Sequence, residues 1–578
     1  MRFRALALAA AAAAVLAGCT PVRPPNPAAD TVTVAVSQPF TSVNPSASSG
    51  LTSTGGDSST GGSSTDGDIA ALTRTGFAYY DDGYRLVRDE SFGTARILSR
   101  KPFTVRYTVR RGVTWSDGVP VDARDLLLSW AADSGLLDPA RADAGLRSST
   151  RVPTLRDGGR SLDVTSTAPF PDWPLALEPT LPAHVAGTAL GGAAESGPAA
   201  RKAAVATAIR EGGAPRADLA RWWAGAGSLA GIASDRAVLT ATGPYRVSAI
   251  ADGSVTVTAN PRYRGARTPT YRRIVLKTVP DPLEQAAQLR AGAVDIATPD
   301  PTADAVKALL DITDARTTVG AQGLFENLAL RVTDSASGAF ADPRVRRAFL
   351  HVVPRAQLVR RLVAPVFADA RPLQSFTLPP GDDDYARAAD GNGSAAYERV
   401  DVAAARGLLA EAGAASPRVC ILYDAADARR REEFALIQQS AAQAGFQVAD
   451  CSSPDWTSRL GVPGAYDAVL SAWDTTQLGS AAIGGLYRSG STAPGATGYA
   501  NTEVDALVDR LASTDLRTQR GILAKIDELL WADAYGMPLF QYPAVSAVGR
   551  GVRNVSLSPL ARGVFWNAWQ WAPAPRTR

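Results

Sequence analysis

Histidine, methionine and cysteine are almost absent from this chain, whose 578 residues include two, two and three of them. His184 and His351 lie far apart in the sequence, so spacing suggests neither a histidine-built metal site nor a histidine-based catalytic pair. There is no Gly-x-Ser-x-Gly elbow, no His-Glu-x-x-His helix and no P-loop. We therefore expect no enzyme, and no catalytic residue, metal or cofactor. Lys and Arg number 60 against 56 Asp and Glu, a formal net charge of +4, and no basic run exceeds three residues. That balance argues against a nucleic-acid partner. Long apolar runs are lacking too, because the stretch from Ala5 to Ala17 is too short to span a bilayer. What remains is a globular composition, 46% hydrophobic and 20% charged, with length for roughly two to four domains.

The apolar stretch follows Arg2 and Arg4 and ends in Leu16-Ala17-Gly18-Cys19, the layout of a secretory signal over residues 1–18. The tetrapeptide resembles the lipobox of bacterial lipoproteins, which implies acylation of Cys19 and a mature chain beginning there. Residues 19–30, rich in proline, then form an extended stem. Lipid on Cys19 would hold the protein at the outer face of the cytoplasmic membrane. Cys420 and Cys451 remain, and the oxidising compartment of an exported protein permits a disulfide between them. Their segments, Val419–Tyr423 and Phe446–Cys451, read as neighbouring parallel strands with the cysteines at opposite ends. That offset would exceed the permitted Cα separation of about 7 Å unless the strands are staggered.

Alternating valines predict a first strand at Thr31–Val36. Residues 46–68 are nearly all Ser, Gly, Thr and Asp and read as a loop, with a helix expected over Asp68–Tyr80 capped by Asp68. Thr104–Val109 alternates as a strand and runs into a turn at Asp117-Gly118. A helix follows from Pro120 through Trp130, and an alanine-rich helical stretch with glycine breaks occupies Ala186–Trp223. Asp342-Pro343 and Asp401 mark helix starts, and Gly413 and Gly445 mark stops. Strand, helix and strand between Val419 and Val448 make a βαβ unit. The class is α/β with more than one lobe.

The segment Val105 to Asp125, with its Arg110-Arg111-Gly112-Val113-Thr114-Trp115-Ser116-Asp117-Gly118 core, resembles the signature of the peptide/nickel family of extracellular solute-binding proteins. Further blocks follow in order: Leu181-Pro182-Ala183-His184, Gly243-Pro244-Tyr245, Asn260-Pro261-Arg262-Tyr263-Arg264-Gly265, Ala291 to Ile296, Asp342 to Ala348, Ala405 to Gly413, Tyr466-Asp467-Ala468 and Met537-Pro538-Leu539. The resemblance implies a two-lobed, type II periplasmic-binding-protein-like fold with an extra inserted α/β domain. It places lobe I at 31–75, 235–320 and 540–578, the inserted domain at 76–234 and lobe II at 321–539. It also implies a monomeric receptor that captures di- or oligopeptides by hinge closure and passes them to an ABC permease.

In peptide receptors of this family the ligand backbone is bound as an added strand. The matching positions are Phe40, Thr41 and Asn44 after the first strand, and Trp473, Asp474, Thr475 and Thr476 in lobe II. The family's acidic partner of the peptide ammonium stands a few positions beyond the tryptophan, where this chain has Thr476, so Asp474 is the candidate. Tyr79 and Tyr80 are expected to end a helix facing the cleft. The loop at 46–68 is a candidate lid, and Trp566, Trp569 and Trp571 are expected as lobe I core or hinge cover. The alternatives are a non-peptide solute (chelated metal, haem, sugar or opine), a peptide-sensing lipoprotein and, remotely, a secreted hydrolase.

Overall fold

Period-two alternation of small apolar residues sets the spine of the molecule. The computed structural model describes residues 30–44, 64–81, 86–137, 146, 151–167, 173–474, 480–491, 497–511, 514, 516–558 and 563–575. In chain order the strands used below are β1 Thr31–Val36, β2 Ala78–Tyr80, β3 Leu86–Arg88, β4 Gly93–Arg100, β5 Phe103–Val109, β6 Thr154–Arg156, β7 Ser161–Ser166, β8 Tyr245–Ala251, β9 Ser254–Ala259, β10 Arg273–Thr278, β11 Ile296–Thr298, β12 Ala315–Leu330, β13 Arg418–Leu422, β14 Gln447–Asp450, β15 Ala468–Asp474 and β16 Gly536–Gly549. Ten of them form one mixed sheet in the order β14-β13-β15-β12-β16-β11-β1-β10-β9-β8.

Two long strands carry the chain between the lobes. The first half of β12, Ala315–Ala321, pairs with Pro543–Gly549 of β16, and its second half, Phe325–Ala329, pairs with Gly536–Gln541. The ladder breaks between Ala321 and Phe325 and again between Glu326 and Asn327. A proline flanks each break on β16: Pro543 opposite Ala321 and Pro538 opposite Asn327. Proline has no N–H for the ladder, so irregularity belongs there. At the wider gap side-chain amides replace lost main-chain bonds, with Gln322 Nε2 donating to Pro543 O at 3.0 Å and Gln541 Nε2 to Gln322 O at 2.8 Å.

One lobe is built on β11, β1, β10, β9 and β8. Val32, Val34 and Val36 point to one face, where their core continues into the inserted domain through Tyr107, Trp115 and Leu162. Ala35, Ala297 and Ala547 point to the other, under the helices Pro282–Arg290 and Ala303–Leu310. The other lobe, on β14, β13 and β15, has its own core around Phe349, Ile421, Ile437 and Leu470. The inserted domain is an antiparallel sheet, β4-β5-β7-β6, covered by helices. Two of these, Pro198–Glu211 and Gly213–Ala226, are separated where Gly212 and Gly213 adopt φ of 78° and 70°, a region open to glycine.

The signature block is structural in this domain. Asp122 caps the helix Ala123–Asp133, and Asp125 closes the capping box. Asp125 also accepts from Ala183 N at 3.0 Å and pairs with the buried Lys202. His184 Nε2 lies 2.7 Å from Asp117 Oδ2, so two separate sequence blocks meet in one contact.

Three expectations need correction. The helix after the Ser/Gly loop is Thr65–Thr73, capped by Ser64 rather than Asp68. It stops before Phe77, and Tyr79 and Tyr80 lie in β2, paired with β3, not at a helix end. The short repeat Ile69–Leu72 has helical spacing, but the aromatic residues beyond it pair in a hairpin. The objection to the disulfide also fails: Cys420 and Cys451 are bridged with Cα atoms 5.7 Å apart. The strands are staggered, Cys420 opposite Ala449 and Ile421 opposite Asp450, so Cys451 lies just past the strand end and donates its N–H to Ile421 O. Protein starting after Cys19 should therefore show no thiol reactive to maleimide in denaturant until a reductant is added.

Asp527, in the helix Leu516–Ala532, is fully buried. It accepts from Phe376 N at 2.6 Å and from Asn392 Nδ2. Burial pushes its pKa up to about 7. The folded state then keeps a proton that the unfolded chain releases, so this group's contribution is present at acid pH and lost as pH rises from about 4 to about 7. Relative to Asp527→Asn, the wild type should lose on the order of 4 kcal/mol across that window, measured as urea unfolding free energy against pH.

Candidate functional site

The strand register locates the cleft. β1 and β11 run parallel, with Val36 beside Thr298. β11 is antiparallel to β16 at Ile296–Val548, so the C-terminal ends of β1 and β11 point along β16 toward Pro543. In the other lobe β15 is antiparallel to β12, ending with Asp474 opposite Leu324, and β13 is parallel to β15. Strand ends from both lobes therefore converge on the broken stretch of the β12–β16 ladder. Crevices beyond the carboxyl ends of strands are where α/β sheets take ligands.

The first lobe's wall begins with residues 37–44. Phe40 and Asn44 are buried. Thr41 N and Ser42 N donate to Asp66 Oδ1 at 2.7 and 3.1 Å, and Thr41 Oγ1 donates to Asp66 Oδ2. Val43 N donates to Gly227 O and Leu229 N to Thr41 O, while Arg74 donates to Val43 O at 2.6 Å. These main-chain groups are thus engaged by the helix Thr65–Thr73 and by the inserted domain. Tyr79 lies edge-on to Trp569, with ring centroids 6.0 Å apart, and the Arg267 guanidinium lies 5.3 Å from each ring centre. Trp571 is fully buried in the lobe I core and Trp566 packs edge-on to Trp569.

Asp300 was not singled out from the sequence. It stands two residues beyond β11, alongside the exit of β1, in a part of the wall that Gln285 organises by bonds to Ser37 Oγ, Val279 O and Thr298 N. Its Oδ1 is buried with no hydrogen-bond partner in the protein, and burial pushes its pKa up to about 6. A buried acceptor without a donor is costly, a condition Asp300 shares with Glu433 Oε2 in the other lobe.

On the second lobe's wall, Trp473 and Asp474 are the last residues of β15, opposite Phe325 and Leu324. Thr475 and Thr476 lie outside the described residues, as do Cys19 and residues 46–63 of the expected lid. Beside this edge the helix Ala428–Ala442 starts at its cap Asp427, and here a buried charge network adjoins the ladder breaks. Arg430 Nε donates to Glu326 Oε1 at 3.1 Å, Arg429 Nε to Glu433 Oε1 at 3.2 Å, and Tyr542 Oη donates to Glu326. The Arg429 guanidinium lies 4.1 Å from the centre of the Tyr542 ring. Burial opposes both guanidinium charges, but Tyr542, Glu326 and Glu433 outweigh it and raise both pKa values. Burial, with the Glu326 charge, raises Glu433 well above the usual carboxylate range. Three carboxylates, Glu326, Asp427 and Glu433, thus surround the two guanidiniums. In sequence only the Arg429-Arg430-Arg431 triplet after Asp427 hinted at this, and it reads locally as a solvated helix start.

Among the described residues no group of three His, Cys, Asp or Glu is placed to hold a metal ion, and no helix is long and apolar enough to cross a membrane.

Two lobes on one sheet, joined by crossing strands with a cleft at the crossing, define a type II periplasmic-binding-protein-like fold. The family model for bacterial extracellular solute-binding proteins, family 5 (middle), matches residues 98–493, and the chain belongs to that family, the solute-binding proteins of ABC importers. An uncharacterized lipoprotein of Mycobacterium tuberculosis is 27% identical over 530 residues, 87% of this chain and 88% of the relative. The oligopeptide-binding protein OppA of the same species is 25% identical over 525 residues, 86% and 79% of the two chains. A solved structure of the periplasmic EDTA-binding protein EppA superposes with a TM-score of 0.71 at 19% identity, covering 94% of this chain and 96% of that one.

Arg430→Met would take from the buried Glu326 its nearer ion partner, at 3.1 Å, and leave only Arg429 at 3.9 Å. We expect a loss of about 3–5 kcal/mol in denaturant unfolding, largely recovered when Glu326→Leu is added.

Proposed function

We propose that this protein is the membrane-tethered receptor of an ABC importer and that its solute is an extended peptide, held between the lobes as they close. The converging strand ends at a twice-broken inter-lobe ladder carry this reading, because the break lets two rigid lobes move about a short segment. The likeness to OppA supports the peptide class. Tethering through acylated Cys19 is supported by the sequence Leu16-Ala17-Gly18-Cys19 and by the relative named as a lipoprotein.

Phe40, Thr41, Asn44, Tyr79, Tyr80, Trp473, Asp474, Thr475 and Thr476 remain the proposed ligand contacts. Because Thr41–Val43 already bond within the protein, their share is better assigned to side chains and shape than to an added strand. Asp300 joins Asp474 as a candidate for the peptide ammonium, since its buried Oδ1 has no donor of its own and a cation would supply one. The second reading, a chelate or other small anionic solute, is favoured by the superposition on an EDTA-binding protein.

Native mass spectrometry of protein starting after Cys19, purified without denaturation, tests the proposal. A ladder of short-peptide masses is expected. One non-peptide mass would keep the fold and replace the ligand class. For a peptide so identified, Asp300→Asn should weaken binding about tenfold or more and leave the N-acetylated peptide unaffected, as read by calorimetry.

A further inference from the structure

Two of the sequence blocks noted above meet at a crevice outside the cleft. The turn after β5 contributes Arg110, Arg111, Gly112, Val113 and Thr114, and the segment after β9 contributes Arg262 to Gly265. Thr75, Ser91, Phe92 and Thr242 complete a cavity of about 300 Å³. That is the lower end of the range for small-molecule sites.

Its charge is one-sided. Arg110, Arg111, Arg262 and Arg264 are all exposed, and none has an ion-pair partner among the described residues. Arg110 donates only to Glu90 O, at 3.4 Å, and Arg264 only to Pro261 O and Tyr263 O, at 2.7 and 2.9 Å. The nearby carboxylate, Asp89, is buried and already committed: it accepts from Thr75, Ser91 N and Ser91 Oγ, and Arg267 lies 3.7 Å away. Four arginines on two loops thus line one small space, with only the exposed Glu90 beside Arg110 as a further acid. The planar fork of arginine matches phosphate oxygens two at a time. The walls come from the first lobe and the inserted domain, which share one core, and the second lobe contributes none. Opening and closing of the cleft therefore leaves the crevice intact.

We propose that this crevice is a second binding site, for a phosphate-bearing anion of headgroup or diphosphate size, which fills independently of the cleft. The anion could come from a membrane lipid headgroup or from a free phosphate ester, since the chemistry of recognition is the same.

The test uses protein starting after Cys19, at low ionic strength, because exposed charges are screened by salt. Calorimetric titration with inorganic pyrophosphate and with glycerol 3-phosphate is run beside cosedimentation with phosphatidylcholine vesicles, with and without phosphatidylglycerol. One equivalent of free phosphate compound bound, without vesicle retention, assigns a soluble anion. Retention only on phosphatidylglycerol vesicles assigns the lipid headgroup. In either case Arg111→Ala with Arg262→Ala should weaken binding about tenfold or more at unchanged thermal unfolding temperature, as befits exposed side chains without ion partners. The proposal is overturned if neither form binds, if the double variant binds as well as the wild type, or if citrate binds as tightly as pyrophosphate.

Discussion

Everything that makes this molecule a two-part device rests on the pairing of β12 with β16. A 16-residue strand spans about 50 Å, and its partner of 14 residues runs back beside it. An unbroken ladder of that length would lock the lobes as one slab. Pro538 and Pro543 withhold main-chain donors from it, so the pairing is continuous within each lobe and interrupted between them. The cleft, the converging strand ends, the buried Glu326 carboxylate and the Tyr542 hydroxyl bonded to it all take their positions from that interruption.

The charged network beside the break has a different task from the apolar cores. Arg429 and Arg430 come from one helix, Glu326 and Tyr542 from the two crossing strands. Their geometry ties the second lobe's helix to the interrupted segment of the ladder. Buried ion pairs rarely add net stability over apolar packing. They do require their partners in one arrangement, and that demand falls here on the residues next to the hinge.

The parts of the fold legible in the sequence were those with local causes. β1 followed from alternation, and the helix starts at Asp122, Asp342 and Asp401 from capping chemistry. The stops near Gly413 and Gly445 followed from glycine. The family blocks pointed to the family because they occur in order, and its model matches residues 98–493. Less legible were features whose causes are distant in sequence. Tyr79 and Tyr80 continue a helical spacing locally, but a pairing with Leu86–Arg88 decides their conformation. The stagger that brings Cys451 to Cys420 is set by how β14 docks on β13, not by either segment. Asp300 lies in an irregular Pro-Asp-Pro segment with no local mark of function; only the parallel register of β11 with β1 brings it alongside the exit of β1. The Glu326–Arg430 pair spans 104 positions and has no local trace.

The position of β16 also governs the order in which the chain can finish folding. In the sheet it sits between β12 and β11, and it is the last of the ten strands to be synthesised. Until residues 536–549 are available, β11 and the first half of β12 are exposed edges and the first lobe lacks an interior strand. Neither lobe is complete, and the inserted domain, which shares its core with the first, has only part of its support. Topology thus makes the closing of the sheet wait for residues 536–549, whichever parts of the chain have folded before.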